Sequence, residues 1–504
     1  MAVKVYSAQV VGLKGTIIEV EVDLAPGLHS FTVVGLPDKA VEEAKDRISA
    51  AIKNSGFISP QKKNQRVTIS LAPADLKKEG PVYDLAIALA YLLASKQLHF
   101  DVEGKLFLGE LALDGMIRQI KGTLSLVKAA KRAGFAEVFV PKQNAKEAAL
   151  IRGIKVFSCL SLGDIVAHFK NENKLEEYPE TKIEINETED ARKLDFSDIK
   201  GQETAKRGLE IAAAGGHNIL MVGPPGTGKT MLAKAFASIL PPLSFEEILE
   251  VTEIHSVAGT LSEDFMTLRP FRSPHHTSSY VALVGGGNWP RPGEITLSHR
   301  GVLFLDEFPE FERRSIEALR QPLEDGMICV SRARGSLVFP ARFIMVCTTN
   351  PCPCGNMGSK KPCVCSQAAL MRYQRKISGP IIDRIDLWLE VPQVEHEKLS
   401  DNERTSETSK DIQKRITKAR EIQKRRFSKR DIFTNSEMNV REIKIFANLS
   451  DNVKNILNQA AQRLDLSGRA YHRVIKLSRT IADLEGSQDI AEQHILEALQ
   501  YRPK

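Results

Sequence analysis

Alternating apolar and polar residues mark β-structure early in the chain, in "VEVDLAPGLHSFTVVG" and "QRVTISLA". Between and after them, "DKAVEEAKDRISAAIKNSG" and "LSLVKAAKRAG" repeat apolar positions three and four apart, the spacing of a helix with one buried face. Residues 1–170 are therefore expected to form an α/β domain. The stretch "NENKLEEYPETKIEINETEDAR" is acidic and poor in large apolar residues, and predicts a linker over 171–192. In residues 193–396 the pattern changes to short unbroken apolar runs, "NILMVG", "GVLFLDE" and "ARFIMVCTTN", separated by helical segments. Strands buried on both faces read this way, so a mostly parallel sheet is expected. After Pro392 the chain turns helical: "DIQKRITKAREIQKRRFSKRD" predicts a long basic helix, and residues 431–504 a small bundle, within a carboxy-terminal region spanning 397–504.

A chain of 504 residues has room for several self-supporting domains, and 26% charged with 42% hydrophobic residues is ordinary for a soluble globular protein. The net charge of +7 favours a polyanionic partner only weakly. "MAVKVYSAQVVG" has no signal-peptide pattern, and the apolar run "LAIALAYLLA", Leu85 to Ala94, is too short to cross a bilayer. No membrane association and a cytoplasmic location are expected. Thiols stay reduced there, so the concentration of five of the seven cysteines in "CTTNPCPCGNMGSKKPCVCS", residues 347–366, suggests metal more than disulfide.

The most specific signal is "GPPGTGKT", comprising Gly223, Pro224, Pro225, Gly226, Thr227, Gly228, Lys229 and Thr230, after an apolar strand and before a helix. Glycines allow backbone amides to curl around phosphates at a helix N-terminus, Lys229 can reach the β- and γ-phosphates, and the Thr230 hydroxyl can hold Mg²⁺. A second strand ends in Asp306 and Glu307, where one carboxylate could serve Mg²⁺ and the other polarise water. A third ends in Asn350, an amide able to orient that water or touch the γ-phosphate. ATP and Mg²⁺ are the expected substrate and cofactor.

"GPPGTGKT", "LFLDE", "TTNP" and "DRIDLWLEVP", with "PFRSPHHTSSYVALVGGGNWPRPGEI" among them, resemble the magnesium-chelatase-like branch of AAA+ ATPases, and within it the ComM/YifB family. The resemblance runs over nearly the whole chain, including "GRAYHRVIKLSRTIADLEG". It implies an α/β AAA+ core preceded by a Lon-protease-like domain and followed by a helical lid. It also implies an arginine finger at Arg384 and a sensor 2 arginine at Arg469. From the residues alone, Arg384 could instead form a salt bridge with Asp383 or Asp386, and Arg473, one helical turn beyond Arg469, could take its role.

Cys352, Cys354, Cys363 and Cys365 form C-x-C-x₈-C-x-C, within 352–365, directly after the Asn350 strand. Four thiolates suit a structural tetrahedral Zn²⁺, with reduced thiols or a redox pair as alternatives. In the amino-terminal domain "KEGPVYDLAIALA" and "LGELALDGMIRQIKGTLSLVKAAKRAG" resemble the Lon proteolytic domain, but Val82 and Leu124 stand where the resemblance expects the nucleophilic Ser and its Lys. Neither side chain can act as nucleophile or base, and Lys121 and Lys128 have no obvious serine partner. Between the second and third strands, "MICVSRARGSLVFPARF" predicts a hairpin with Arg332 and Arg334 near its tip. The family resemblance points such a hairpin into a ring's pore, along with an insert expected within 256–296.

These readings lead to an ATP-driven ring motor, a homo-oligomer with single-stranded or branched DNA as its track; the family resemblance implies a hexamer and a helicase that promotes branch migration during integration of transforming DNA. Arg332 and Arg334 are the first candidate phosphate contacts, with Arg272 and Arg291 next. The competing classes are a chelatase-type motor remodelling a protein, an ATP-dependent protease, disfavoured by Val82 and Leu124, and a nucleotide-switched scaffold.

Overall fold

The alternating stretches pair as their pattern requires in the computed structural model, which describes residues 2–183, 194–287, 291–332, 335–359, 361–394, 407–430 and 432–503. The chain divides into two units, Met1–Ile185 with Ser244–Thr267, and Asn186–Leu243 with Leu268–Lys504. In the first, strands Val3–Val11, Lys14–Pro26, Gln65–Ala72 and Ser30–Val34 lie in that order, with only the last pair parallel. Along Lys14–Pro26 the inward positions Ile18, Val20 and Val22 are fully buried, which fixes the register, since a one-residue slip would expose all three. The apolar run begun at Leu85 is the helix Asp84–Ala94, buried on every side, so its composition reflects a central helix. A second sheet of three parallel strands, Lys105–Phe107, Glu137–Pro141 and Lys155–Cys159, is crossed by stacked rings, Phe107 on Phe139 and Phe139 on Phe157.

Two boundaries differ from the sequence reading. The expected linker does not begin free at 171, because Tyr178 N–H donates to Val156 O at 2.7 Å and Thr181 N–H to Ala149 O at 3.1 Å. Its acidic composition hides these backbone bonds. Residues 184–193, the rest of that stretch, lie outside the described residues. The second difference is that residues 244–267, expected in the ATPase core, belong to the first unit. Helix Phe245–Ala258 packs Leu249 against that unit's core and is fixed by polar bonds: Lys128 Nζ to Glu253 at 2.9 Å, Ser256 Oγ to the buried Glu147 carboxylate at 2.5 Å, and Gly122 N–H to Ser256 Oγ at 2.9 Å. Such bonds carry no hydrophobic period, so no pattern in the sequence announces them.

The second unit is built on a five-stranded parallel sheet, in the order Phe271–Arg272, Val302–Leu305, Ile344–Thr349, Ile219–Val222, Leu387–Glu390. Every residue of Val302–Leu305 and Ile344–Thr349 is buried, matching their unbroken apolar runs. Helices Glu203–Gly215, Lys229–Ile239 and Ser409–Arg426 share the sheet's core, and helices Val440–Phe446, Asp451–Arg463, Gly468–Leu484 and Glu492–Gln500 extend it.

Candidate active site

Three adjacent parallel strands end side by side, and their carboxyl edge gathers the site. Ile219–Val222 leads into the glycine loop, Val302–Leu305 into Asp306 and Glu307, and Ile344–Thr349 into Asn350. Gly223 is required by close approach: a Cβ there would stand 2.2 Å from Val391 O. Gly226 and Gly228 turn through positive φ, 77° and 87°, conformations that favour glycine, and the helix then starts at Lys229. The first amides of that helix point at the loop, a ready anion site.

Lys229 is nine-tenths buried, and its amine donates to Gly223 O at 2.6 Å, Pro224 O at 2.8 Å and Asn350 Oδ1 at 3.3 Å. Burial pulls its pKa below the ordinary lysine value, against the opposing pull of Asp306 and Glu307. Thr227 Oγ1 closes the loop on Pro224 O at 3.0 Å. Thr230 Oγ1 donates to Asp306 Oδ2 at 3.1 Å, which joins two hard oxygen donors suited to Mg²⁺. Glu307 sits in the left-handed region, φ 52°, with its N–H donating to Thr348 Oγ1 at 3.0 Å, while Thr348 Oγ1 donates to Asp306 Oδ1. Thr348 carries no signal in the sequence, since one hydroxyl in a buried strand looks like any other. His276 Nδ1 lies 3.8 Å from Glu307 Oε2.

Arg384 is buried, with its guanidinium paired to Glu324 and donating to Pro380 O at 2.5 Å, while its Nε has no hydrogen-bond partner among the described residues. Its partner is thus neither Asp383 nor Asp386, the two that sequence proximity suggests. Asp386 instead pairs with Arg473, lies 3.5 Å from His217 Nδ1, and accepts from Asn218 N–H at 3.0 Å. Burial alone would raise the Asp386 pKa, but Arg473, then His217 and the Asn218 amide hold it well below the usual carboxylate range. Arg473 is thereby occupied, while Arg469, the second residue of helix Gly468–Leu484, is exposed and 3.8 Å from Glu324.

The four cysteine sulfurs lie within 4.8 Å of one another, with Cys352 to Cys354 at 3.4 Å and Cys363 3.7 Å from each. Tetrahedral zinc with thiolate bonds of about 2.3 Å sets sulfurs about 3.8 Å apart, so the donor set fits. Backbone amides of Asn356 and Val364 hold the Cys354 thiol down to about 6, and Met357 N–H donates to Cys352 Sγ at 3.3 Å, the outer bonds that support metal thiolates. Gly355 of this loop abuts the phosphate loop, because a Cβ there would be 2.8 Å from Pro225.

Of the candidate DNA contacts, Arg272 forms a two-pronged pair with Glu294, at 2.6 and 2.8 Å. Arg291 is exposed, on a short antiparallel pairing of Gly285–Gly286 with Arg291–Pro292 that occupies part of the expected insert. The predicted hairpin forms from Met327–Arg332 and Gly335–Pro340, with Arg332 opposite Gly335 as the last pair. Arg334 and the Arg332 side chain lie outside the described residues.

A parallel sheet carrying this loop, acidic pair and asparagine on neighbouring strands, followed by helices, defines a P-loop nucleotide-binding protein of the AAA+ class. Three family models match: magnesium chelatase subunit ChlI over residues 195–399, subunit ChlI of Mg-chelatase over 20–144, and the ChlI C-terminal region over 406–502. The chain is 44% identical to competence protein ComM of Haemophilus influenzae over 504 residues, 99% of this chain and 97% of that protein. It is 44% identical to YifB of Escherichia coli over 501 residues, 99% and 96% of the two chains. The magnesium-chelatase 67 kDa subunit of Chlorobaculum parvum is 30% identical over 162 residues, 31% of this chain and 23% of that one. The chain belongs to the ComM/YifB family of magnesium-chelatase-like AAA+ proteins, and this membership implies an ATPase. Among the described residues no helix is long and apolar enough to cross a membrane.

Proposed function

We propose that this protein is a cytoplasmic, ATP-hydrolysing ring motor, hexameric, that drives branch migration of DNA. The observation that carries the reading is the convergence of Lys229, Thr230, Asp306, Glu307 and Asn350 at one sheet edge. In this reading the loop amides and Lys229 bind the β- and γ-phosphates, and Thr230 and Asp306 hold Mg²⁺, which when bound offsets phosphate charge. Glu307 takes up the proton of the attacking water, and Asn350 orients that water. Arg384 reaches a neighbouring subunit's nucleotide after leaving Glu324, and Arg469 serves as the sensor 2 arginine. A planar, permanently charged guanidinium suits both roles.

The competence name of a full-length relative supports DNA as the track, as do Arg332 and Arg334, which the sequence sets at the junction of the paired strands Met327–Arg332 and Gly335–Pro340. The amino-terminal unit is read as a Lon-like fold without its dyad: Leu124 is buried, and helix Phe245–Ala258 is bonded beside it through Glu147 and Ser256. The cysteine loop is read as a structural zinc site, since four thiolates leave no open position for chemistry. A second reading, a motor remodelling a protein, is favoured by the chelatase likeness over 31% of the chain. Strand displacement on a forked duplex decides between them. ATP-dependent displacement, abolished in Arg332→Ala/Arg334→Ala, supports the DNA motor, and ATP turnover without displacement on any fork supports the protein remodeller.

A further inference from the structure

Helix Ser409–Arg426 and the segment after it carry ten arginines and lysines against two acids between residues 409 and 430; near the helix start Lys414 pairs with Asp411, and the fold sorts the eight cations from Arg415 onward into two sets. The inward set is bonded: Arg415 to Glu210 and Glu407, Arg420 to Ala213 O, Arg426 to Asp483 and Asn435. The outward set, Lys418, Lys424, Arg425, Lys429 and Arg430, is exposed, and these side chains have no ion-pair or hydrogen-bond partner among the described residues. Buried Ile412, Ile416, Ala419, Gln423 and Phe427 fix which face is which.

Three residues beyond Arg430, and so within about 11 Å along the chain, the exposed ring of Phe433 is flanked by two guanidiniums. Arg300 Cζ lies 4.3 Å and Arg342 Cζ 5.5 Å from its centroid. Cation stacking on one face of an aromatic is worth about 0.5–1 kcal/mol at an exposed site, too little to account for a half-exposed phenylalanine as a folding device.

We infer that Lys418, Lys424, Arg425, Lys429, Arg430 and Phe433 form a second polynucleotide contact, separate from the strand pair Met327–Arg332 and Gly335–Pro340. Five cations without partners among the described residues, the last of them three positions before an arginine-flanked aromatic, match a chain of phosphates with bases beside it, and none of these groups reads a base edge. A helix C-terminus favours cations through its dipole, but that effect reaches only the last turn and leaves Lys418 unexplained. The inference rests on the proposed DNA function.

The test is equilibrium binding of the full chain to a fluorescent 40-nucleotide single strand and its duplex across a salt series, using Lys418→Gln/Arg425→Gln/Lys429→Gln and, separately, Phe433→Ala. The triple variant is expected to weaken binding at least tenfold at low salt and to flatten the log–log salt slope by about two to three, one for each phosphate that the variant no longer neutralises. Phe433→Ala is expected to weaken single-strand binding more than duplex binding, with the slope unchanged. Circular dichroism confirms that each variant folds. If wild type binds with a steep salt slope and the triple variant reproduces it, this surface does not touch DNA while the DNA motor stands. If wild type binds neither strand form, the inference and the DNA function fall together.

Discussion

The amine of Lys229 lies 3.3 Å from the side-chain oxygen of Asn350, across the junction of two adjacent parallel strands. The bond joins the phosphate loop to the end of the neighbouring strand, so the two respond together to whatever occupies the loop.

The two residues differ in what their replacement removes. Lys229→Ala deletes the buried cation of the loop and is expected to weaken ATP binding tenfold or more. Asn350→Ala is expected to leave binding within a few-fold and lower kcat by about 10²-fold, as for removal of a transition-state donor. Binding of a fluorescent ATP analogue, measured beside steady-state turnover, separates the two. Equal weakening of binding in both variants would overturn the division of roles.

Arg384 is held by Glu324 in its own subunit, and its finger role requires it to exchange that partner for a neighbour's nucleotide. Arg384→Ala subunits mixed with Lys229→Ala subunits, each inactive alone, are expected to recover part of the ATPase activity at hybrid interfaces. Subunit exchange is verified by two-colour labelling. Mixed rings that stay inactive contradict action between subunits.

The cysteine loop makes a quantitative demand: about one zinc per chain by elemental analysis, and four thiols protected from titration until chelation. Because Gly355 abuts Pro225, removing the metal is also expected to raise the KM for ATP several-fold before kcat changes. Zinc near zero with all four thiols freely titratable would reject the site.

The spacing of these cysteines and the glycine loop were legible because their chemistry is written in residue type and local order. So was the parallel sheet, since strands such as Val302–Leu305 carry unbroken apolar runs. What escaped was long-range and polar. Docking of helix Phe245–Ala258 depends on Glu253 and Ser256, which look like ordinary surface residues of an amphipathic helix. Likewise, Asp386 reads in the sequence as a partner for nearby Arg384, whereas Arg473 reaches it from 87 positions away. Sequence proximity is a poor guide to which charges meet once the chain is folded.

Asp386 also gives the second unit a defined acid response. Its folded pKa is depressed below the ordinary 3.8, so at pH values between the two the unfolded chain binds the extra proton and stability falls as pH falls. The contribution is fully present above about pH 5 and disappears through the region below 3.8. Asp386→Asn, which leaves Arg473 unpaired, is expected to cost roughly 3–5 kcal/mol at neutral pH and to flatten this acid limb. Chemical denaturation at pH 7 and at about pH 3, inside that acid limb, measures both. An unchanged pH dependence in the variant would assign the acid limb to other groups.

The most direct measurement is steady-state ATP hydrolysis by the wild-type chain and Glu307→Gln, with and without single-stranded, duplex and forked DNA. Wild type is expected to hydrolyse ATP and to be stimulated by DNA, while Glu307→Gln binds ATP normally and turns over about 10²-fold more slowly or worse. Equal turnover in the two proteins would contradict the assignment of the site, and a wild-type rate indifferent to every DNA would contradict the motor's track.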